Sequence, residues 1–440
     1  MVHVKSTTRH YIHSITALNR NIHLFLSTVL LVGFVFDGGI YSVIFNLYLV
    51  RLDYDTAFIG QVNSAGLFAF ALTSLPAGFI GKRWGARRMM IAGLNGMLLA
   101  CLLIPMAEFG PSAWQKAMLT FGYVFMLFSL AFYFVNALPF VTANTSPAER
   151  DQAFSVQAAF FSLSAFLGSL VGGILPNFFA ATLSTDLADR APYRYPLLLG
   201  AVLIIPGIWA MMQAQPETLY SDEPDEPDVS DETGLETRAD YPETLSLTLI
   251  IMLVFVRFLQ VSGMAAAMIF FNVYLDTQLL VSTVFIGVLI SVARLVAAPA
   301  ALATPYWTKK KGSVYMITFA SFGSSLAMLP LAFFPHWLPA SIGYIAAITF
   351  SSMRFPAFLS YSMTLVPPRQ RAIVSGAGEM AAGLSFGAMS LSGGFIVDAV
   401  GYREFFLFAF VLSFLGGAAF WAYFRVPRGI LADNVKYFPQ

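Results

Sequence analysis

Two stretches of the chain, FNLYLVRLDYDTAFIG at residues 45–60 and FNVYLDTQLLVSTVFIG at residues 271–287, contain the same pattern. The identical positions are Phe45 and Phe271, Asn46 and Asn272, Tyr48 and Tyr274, and Leu49 and Leu275, each pair 226 residues apart. The triplet FIG then recurs after a one-residue shift. Self-similarity of this kind predicts a fold built from two related units, so it is the first constraint on the architecture.

The composition excludes a soluble protein. Of the 440 residues, 58% are hydrophobic and 11% are charged, whereas soluble domains carry about 25% charged residues. The mean hydropathy is +0.71, and apolar runs of about 20 residues, the length of a helix that crosses a bilayer, recur along the chain. The first run is too long for a signal peptide and is interpreted as a retained span. The sequence therefore predicts an all-α integral membrane protein.

The apolar runs divide into twelve predicted transmembrane helices, six on each side of a polar segment. They cover residues 22–50, 57–80, 89–110, 117–143, 154–178, 194–213, 245–275, 281–306, 314–334, 338–364, 372–398 and 404–424. We therefore expect a tail at 1–21, a six-helix bundle at 22–213, a second bundle at 245–424 and a tail at 425–440. Residues 214–244, between the bundles, contain 11 of the 24 acidic residues and are predicted to be a disordered linker.

The distribution of lysine and arginine predicts the orientation. If the N-terminus is cytoplasmic, 17 basic residues lie in cytoplasmic segments and five in the outer connections, and three lie inside spans. Cytoplasmic loops are enriched in Lys and Arg. Both tails and the linker are therefore expected in the cytoplasm.

An even number of spans per unit means that the second unit enters the membrane in the same direction as the first. Further matches support the duplication: Pro147, Arg150, Gly172 and Gly173 recur as Pro368, Arg371, Gly393 and Gly394. Parallel repeats related by an axis along the membrane normal are a transporter architecture with the binding site between the halves. We expect two pseudo-symmetric six-helix bundles.

The loop after the second span, GFIGKRWGARR at residues 78–88, resembles the signature of the major facilitator superfamily of secondary transporters. The matching residues are Gly78, Arg83, Gly85, Arg87 and Arg88. Lys82 stands where that family has an aspartate, an acid that helps to latch the two halves together on the cytoplasmic side. The resemblance implies alternating access, with these residues as a gating loop, but the latch must be made differently here or be weaker.

The loop SPAERD at residues 146–151 is a candidate for a substitute latch. Ser146, Pro147 and Glu149 have the spacing of a capped helix start. Glu149 or Asp151 could pair with Lys82 or Arg83, with Arg150 in the same gating group. A purely orientational role for the basic loops remains the alternative.

Five ionisable residues fall inside predicted spans, where an unpaired charge costs several kcal/mol and usually marks a functional site. They are Asp37, Arg257, Arg294, Arg354 and Glu379. The resemblance implies that their spans line the central cavity, since spans 3, 6, 9 and 12 are peripheral in that family. Asp37 and Glu379 are the candidate ion-coupling residues, because a buried carboxylate can take up a proton. A static ion pair with Arg257 or Arg354 is the alternative for Asp37, and gating or structural pairing is the alternative for Glu379.

Three arginines against two acids favour an anionic or amphipathic substrate, since guanidinium groups bind carboxylates and phosphates. Internal neutralisation is the alternative, above all for Arg294. Polar residues that could line the path are Asn46, Asn63, Asn136, Gln157, Gln260 and Asn272, although hydrogen bonds between helices would also explain them.

Motifs for phosphate loops, zinc hydrolases and serine hydrolases are absent, so we expect no catalytic residues, cofactor or metal. The predicted function is a secondary transporter of a small organic solute, proton-coupled and located in the plasma (inner) membrane. A lipid or drug exporter of the same fold, a non-transporting sensor or scaffold, and a membrane-embedded enzyme are the alternatives. The expected partners are the lipid bilayer, the small-molecule substrate and a proton, without nucleic acid, and the protein is expected to be a monomer.

Overall fold

The structure is a computed structural model that describes residues 19–36, 38–145, 147–215, 247–366 and 371–426, apart from the side chains at 75, 147–152, 155, 371–373 and 375. Within these ranges the chain is helical, and twelve spans are long and apolar enough to cross a membrane. The helices are Arg20–Val35, Ile40–Arg51, Thr56–Trp84, Ala86–Met106, Ser112–Ala143, Pro147–Leu183, Ala191–Gln213, Leu247–Thr277, Thr283–Lys311, Ser313–Leu326, Met328–Phe333, Trp337–Thr364, Arg371–Val400 and Tyr402–Phe424. The predicted all-α fold with twelve spans is confirmed.

The spans are numbered 1–12 in chain order; span 1 comprises the first two helices, and span 9 comprises Ser313–Leu326 with Met328–Phe333. Spans 1–6 form the first half and spans 7–12 the second. The end of the bundle at which residues 216–246 connect the two halves is called the linker side. Gly85 and Gly312 make the turns after spans 2 and 8 on that side, with φ of +93° and +85°, which a side chain would disfavour.

The repeated asparagines join the two halves to each other. Asn46 Nδ2 of span 1 donates a hydrogen bond to the carbonyl of Ile269 in span 7, at 2.9 Å. Asn272 Nδ2 of span 7 donates to the carbonyl of Val43 in span 1, at 3.2 Å. The offset of 226 residues that relates Asn46 to Asn272 also relates Val43 to Ile269, so the two bonds are equivalent under the internal symmetry. The repeat therefore encodes a reciprocal contact.

The glycines of the repeated FIG triplet form the other symmetric contacts between the halves. A Cβ atom on Gly60 would lie 2.8 Å from Cα of Gly394, and one on Gly287 would lie 2.7 Å from Cα of Gly173. Only glycine allows backbones to approach this closely. Ser390 Oγ donates to the Gly60 carbonyl at 3.0 Å, and the hydroxyls of Ser169 and Ser291 are 2.7 Å apart. Spans 2 and 11 are thus joined, as are spans 5 and 8.

An ion pair adds to these contacts where spans 1 and 7 end, opposite the linker side. Arg51 donates two hydrogen bonds to the Asp276 carboxylate, from Nη1 at 2.6 Å and from Nη2 at 2.7 Å. Its Nη2 also donates to the Tyr193 hydroxyl at 3.0 Å, which lies 3.1 Å from Thr283 Oγ1 of the second half. These cross-half contacts all lie toward the end opposite the linker side, so the halves are closed against each other there.

Aromatic stacking inside each half shows the same symmetry. Phe45 stacks on Tyr123 with ring centroids 4.3 Å apart, and Phe271 stacks on Tyr344 at 3.9 Å, both with an interplanar angle of 6°. The repeat phenylalanine thus fixes span 1 against span 4 and span 7 against span 10 in the same way. The predicted pseudo-symmetric bundles are confirmed.

We expect Asn46→Ala to destabilise the protein more than Asn272→Ala. The Asn46 side chain connects span 1 to two other spans, through the Ile269 carbonyl of span 7 and Asn63 Nδ2 of span 2. The Asn272 side chain connects span 7 to span 1 alone, through the carbonyls of Ser42 and Val43. Losing a buried hydrogen bond costs about 1–3 kcal/mol where a partner is left unsatisfied. The midpoint of thermal unfolding in detergent should fall for both variants, and further for Asn46→Ala.

Asn95→Ala is the matched control, because the exposed Asn95 amide donates, among the described residues, only to the Ile91 carbonyl of its own helix. If all three substitutions lowered the midpoint equally, the reciprocal contact would not contribute to the closed arrangement.

Candidate functional site

Span 1 is broken near its middle, which corrects the continuous helix predicted over residues 22–50. The first helix ends at Val35 and the second begins at Ile40. Gly38 has φ of +81°; its amide donates to Ser42 Oγ at 2.8 Å, and that hydroxyl donates to the Phe36 carbonyl at 2.9 Å. The Ser42 hydroxyl thus takes the place of main-chain hydrogen bonds where the helix is interrupted. Glycine adopts the positive φ at this break without steric cost. The Asp-Gly dipeptide at 37–38 was the available sequence signal.

The second half contacts this break through Arg294 of span 8. A Cβ atom on Gly38 would lie 2.8 Å from Nη2 of Arg294, so the guanidinium lies directly against the glycine. Ser42 is exposed although its neighbours Tyr41 and Val43 are buried, which places the break beside an open space. Asp37, the predicted coupling residue, precedes Gly38 in the chain but lies outside the described residues. The structure thus places the Arg294 guanidinium against Gly38. The role of Asp37 stays a prediction.

A second charged cluster lies within the second half. Arg257 of span 7 and Arg354 of span 10 are 5% and 1% exposed. Arg354 Nη1 donates to the Gln260 carbonyl at 2.6 Å. The Arg257 guanidinium lies 5.1 Å from the ring centre of Phe355 and 5.2 Å from that of Phe358. Gln260 lies one helical turn after Arg257 on span 7, so both arginines are associated with the same part of that span.

The negative charge in this cluster comes from Glu379 of span 11. Its Oε1 lies 3.7 Å from Nη2 of Arg257, and its side chain is 59% exposed. Charge-assisted N–H···O bonds are normally about 2.7–2.9 Å long, so this pair is loose. Two arginines and one carboxylate leave a net charge of +1 on the cluster. A buried cation without full compensation is costly, and an added anion would remove that cost.

Unused hydrogen-bonding groups lie in the same cluster. Within the part of the chain that the structure describes, both side-chain amide atoms of the fully buried Gln260 and Nε of Arg354 have no hydrogen-bond partner. Most buried polar atoms in proteins are paired. Unpaired donors beside excess positive charge can bind a carboxylate or phosphate, while the Gln260 oxygen can accept from a hydroxyl.

The other predicted path residues have different surroundings. Asn63 Nδ2 donates to Asn46 Oδ1 at 2.8 Å, so Asn46, Asn63 and Asn272 belong to the contact between the halves. Asn136 Nδ2 donates to the Ala77 carbonyl at 3.3 Å and joins span 4 to span 2. Gln157 Oε1 is buried without a partner among the described residues. A direct role in substrate binding remains a prediction for all five.

Only part of the predicted gating loop makes contacts that the structure describes. Lys82, Arg83 and Arg88 are exposed. Arg87 donates to the carbonyls of Met211 and Met212 at 3.0 and 2.7 Å, which fixes span 3 to the end of span 6. The side chains of Glu149, Arg150 and Asp151 lie outside the described residues, so the substitute latch also remains a prediction.

Sequence reasoning missed several residues that the structure brings together. Arg51 and Asp276 form the cross-half ion pair, and Ser291 and Ser390 bond to the other half. Serine in a span carries little signal because it bonds readily to its own helix. Arg51 and Asp276 were hidden because both lie at span ends, where charges are common.

Comparison with solved structures shows which fold this is. The chain aligns with an inward open form of the xylose transporter XylE from E. coli with a TM-score of 0.72 and 12% identity, over 95% of this chain and 99% of that one. It aligns with a bacterial homolog of the human lysosomal transporter Spinster with a TM-score of 0.69 and 15% identity, covering 91% and 95% of the two chains. The nucleoside transporter NupG gives a TM-score of 0.67 at 14% identity, covering 92% and 98%. Identities this low establish the fold alone.

Sequence relatives match a smaller part of the chain. A glucose/galactose transporter of Brucella abortus biovar 1 (strain 9-941) is 30% identical over 178 residues, which is 40% of this chain and 41% of the relative. A second strain of Brucella abortus, strain 2308, has a glucose/galactose transporter with the same identity and coverage. This chain therefore spans less than half the length of these curated relatives.

The family model of the Major Facilitator Superfamily matches residues 28–378, which is most of the chain and includes both copies of the repeat. The duplication, the twelve spans and the solved structures agree with that match. The protein belongs to the Major Facilitator Superfamily.

Proposed function

We propose that the protein is an alternating-access transporter of a small organic anion, coupled to protons. The observation that carries the substrate class is the cluster of Arg257, Arg354 and Gln260, which has excess positive charge and unpaired donors in a buried position. An anionic group of the substrate would supply the missing negative charge. Arg354 and the Gln260 amide would then gain the partners that they lack among the described residues.

The arrangement of the halves supports the transport cycle. Asn46, Asn272 and the Arg51–Asp276 pair hold the halves together opposite the linker side. The excess of basic residues in linker-side loops favours placing that side in the cytoplasm. The described conformation is thus proposed to be closed to the outside, in the plasma membrane, with both termini in the cytoplasm.

Glu379 is the proposed link between proton and substrate at the cluster. Its carboxylate is exposed and only loosely paired with Arg257, so a proton can reach it from water. Protonation removes its negative charge and leaves Arg257 without its partner. A substrate anion then binds more strongly, because it no longer competes with the carboxylate. Proton and anion therefore bind together.

Asp37 is proposed as a second proton carrier, at the break in span 1. The Arg294 guanidinium lies against Gly38, the next residue in the chain. Asp37 and Arg294 belong to different halves. Protonation there would therefore weaken an attraction between the halves and favour their separation.

A neutral sugar is the second candidate substrate. It is favoured by the partial similarity to glucose/galactose transporters of Brucella abortus. The Gln260 amide, with both a donor and an acceptor unused, suits sugar hydroxyls as well as an anion. An organic anion would need the arginine charges for binding, whereas a neutral sugar would not.

We expect Arg354→Met to reduce the affinity for organic anions by at least about tenfold, since hydrogen bonds to charged groups contribute about 1.5–3 kcal/mol. Arg257→Met should have a smaller effect, because its charge is partly balanced by Glu379. Binding to the purified protein is measured by calorimetry with monocarboxylates, sugar phosphates and the neutral sugars glucose and xylose.

Lys310→Met is the matched control, since Lys310 is an exposed cation at the end of span 8. Parent-like anion binding by Arg354→Met would exclude the anionic proposal. Preferential binding of neutral sugars by the parent would favour the second candidate.

Glu379→Gln is expected to make anion binding strong and independent of pH, because glutamine imitates the protonated acid. In the parent, the affinity should rise as the pH falls. The dissociation constant is measured for both proteins across a pH series. A parallel pH dependence in the variant and the parent would remove Glu379 from the coupling role.

Asp37→Asn is expected to abolish pH-driven accumulation in proteoliposomes while leaving substrate exchange partly intact, because asparagine cannot carry a proton. Accumulation under an imposed pH gradient and counterflow without a gradient are measured on the same preparation. Unchanged pH-driven uptake would show that the proton is carried elsewhere.

A further inference from the structure

A lateral groove of about 790 Å³ lies opposite the linker side, between spans 2, 4 and 11. Phe121 of span 4 and Phe395 of span 11 line it and are 62% and 50% exposed. Exposed phenylalanine side chains near the end of a transmembrane span are typical of a surface that faces lipid. Spans 2 and 4 belong to the first half and span 11 to the second, so the groove crosses the boundary between the halves.

Two opposite charges flank the mouth of the groove. Asp55 is the N-cap of span 2, and Lys116 lies in the first turns of span 4, so both are at the level of lipid headgroups. Lys116 Nζ lies 5.3 Å from the ring centre of Phe58. Asp55 Oδ1 accepts from the Phe58 amide at 2.7 Å. Neither charge takes part in an ion pair within the described residues, so both remain available to a ligand.

Below these charges the groove is mainly apolar. Phe121, Val124 and Phe395 contribute apolar side chains to its lining, and Gln61 and Thr120 contribute polar ones. A helix rises 1.5 Å per residue, so the distance along span 4 from Lys116 to Val124 is about 12 Å. A charged entrance above an apolar channel of this length matches the headgroup and the upper acyl chain of a phospholipid.

We propose that this groove binds an aminophospholipid of the phosphatidylethanolamine type. The phosphate pairs with Lys116, the primary ammonium donates to the free oxygen of Asp55, and an acyl chain packs against Phe121 and Phe395. A balanced pair of protein charges matches a zwitterion better than an anionic lipid. A quaternary ammonium has no N–H to donate, so phosphatidylcholine satisfies Asp55 less well.

The groove adjoins a contact that holds the halves together. Phe395 follows Gly394, whose Cα lies against Gly60 of span 2. A lipid that packs against Phe395 and span 4 therefore contacts both halves while they are closed on this side. Because it binds this arrangement preferentially, it stabilises the closed conformation.

The test compares lipids on the purified, delipidated full chain in detergent. Palmitoyl-oleoyl phosphatidylethanolamine is expected to raise the midpoint of thermal unfolding by at least about 2 °C at saturation, since a ligand bound only to the folded state stabilises it by mass action. The phosphatidylcholine and phosphatidylglycerol with the same acyl chains should give smaller shifts. Lys116→Gln and Asp55→Asn should each lose most of the response to phosphatidylethanolamine; asparagine keeps the helix cap.

Lys310→Gln, at an exposed lysine on the linker side, is the matched control and should respond as the parent does. Native mass spectrometry provides a second readout, in which the parent should retain phosphatidylethanolamine and both groove variants should lose it. Equal shifts with all three lipids would indicate nonspecific annular lipid and overturn the proposal. A parent-like response of both groove variants would also overturn it.

Discussion

The close approach of the two halves at one end of the bundle is the contact on which the remaining arrangement depends. In lipid, the hydrophobic effect does not draw helices together, so association relies on tight packing and hydrogen bonds. Gly60 against Gly394 and Gly173 against Gly287 bring backbones into contact. That approach also places Asn46 and Asn272 within reach of carbonyls across the boundary. The repeated stretches are thus the surfaces at which the two copies meet.

The symmetry of this contact does not extend to the charges. The offset of 226 that relates Asn46 to Asn272 takes Arg257 to Leu31, and the offset of 221 that relates Tyr123 to Tyr344 takes Arg354 to Tyr133. Tyr133 forms a neutral hydrogen bond with Thr28 at 2.7 Å, where the second half has a cation bonded to a backbone carbonyl. The scaffold is therefore duplicated, whereas the site with excess charge belongs to one copy.

The sequence predicts the spans and the duplication well because both depend on local apolar runs and on repeated letters. It predicts the intramembrane charges as special, since lipid penalises them wherever they lie. It does not predict partners: Glu379 lies 122 residues from Arg257, and hydropathy carries no information on which carboxylate reaches which guanidinium. The break in span 1 was missed for a related reason, since Gly38 and Gly39 are apolar enough to leave the run continuous. Only the Asp-Gly dipeptide indicated a turn.

The energetics of the closed end constrain how ligands can act. Each neutral hydrogen bond contributes about 0.5–1.5 kcal/mol net, so the reciprocal asparagine bonds can be exchanged for bonds to water at modest cost. The Arg51–Asp276 pair is 17% and 9% exposed, which makes it more costly to separate. A ligand shifts such an equilibrium only by as much as its affinities for the two states differ. Arg257, Gln260, Arg354 and Glu379 all belong to the second half. The proposed anion at this cluster would therefore shift the equilibrium between the halves only through an additional contact with the first half.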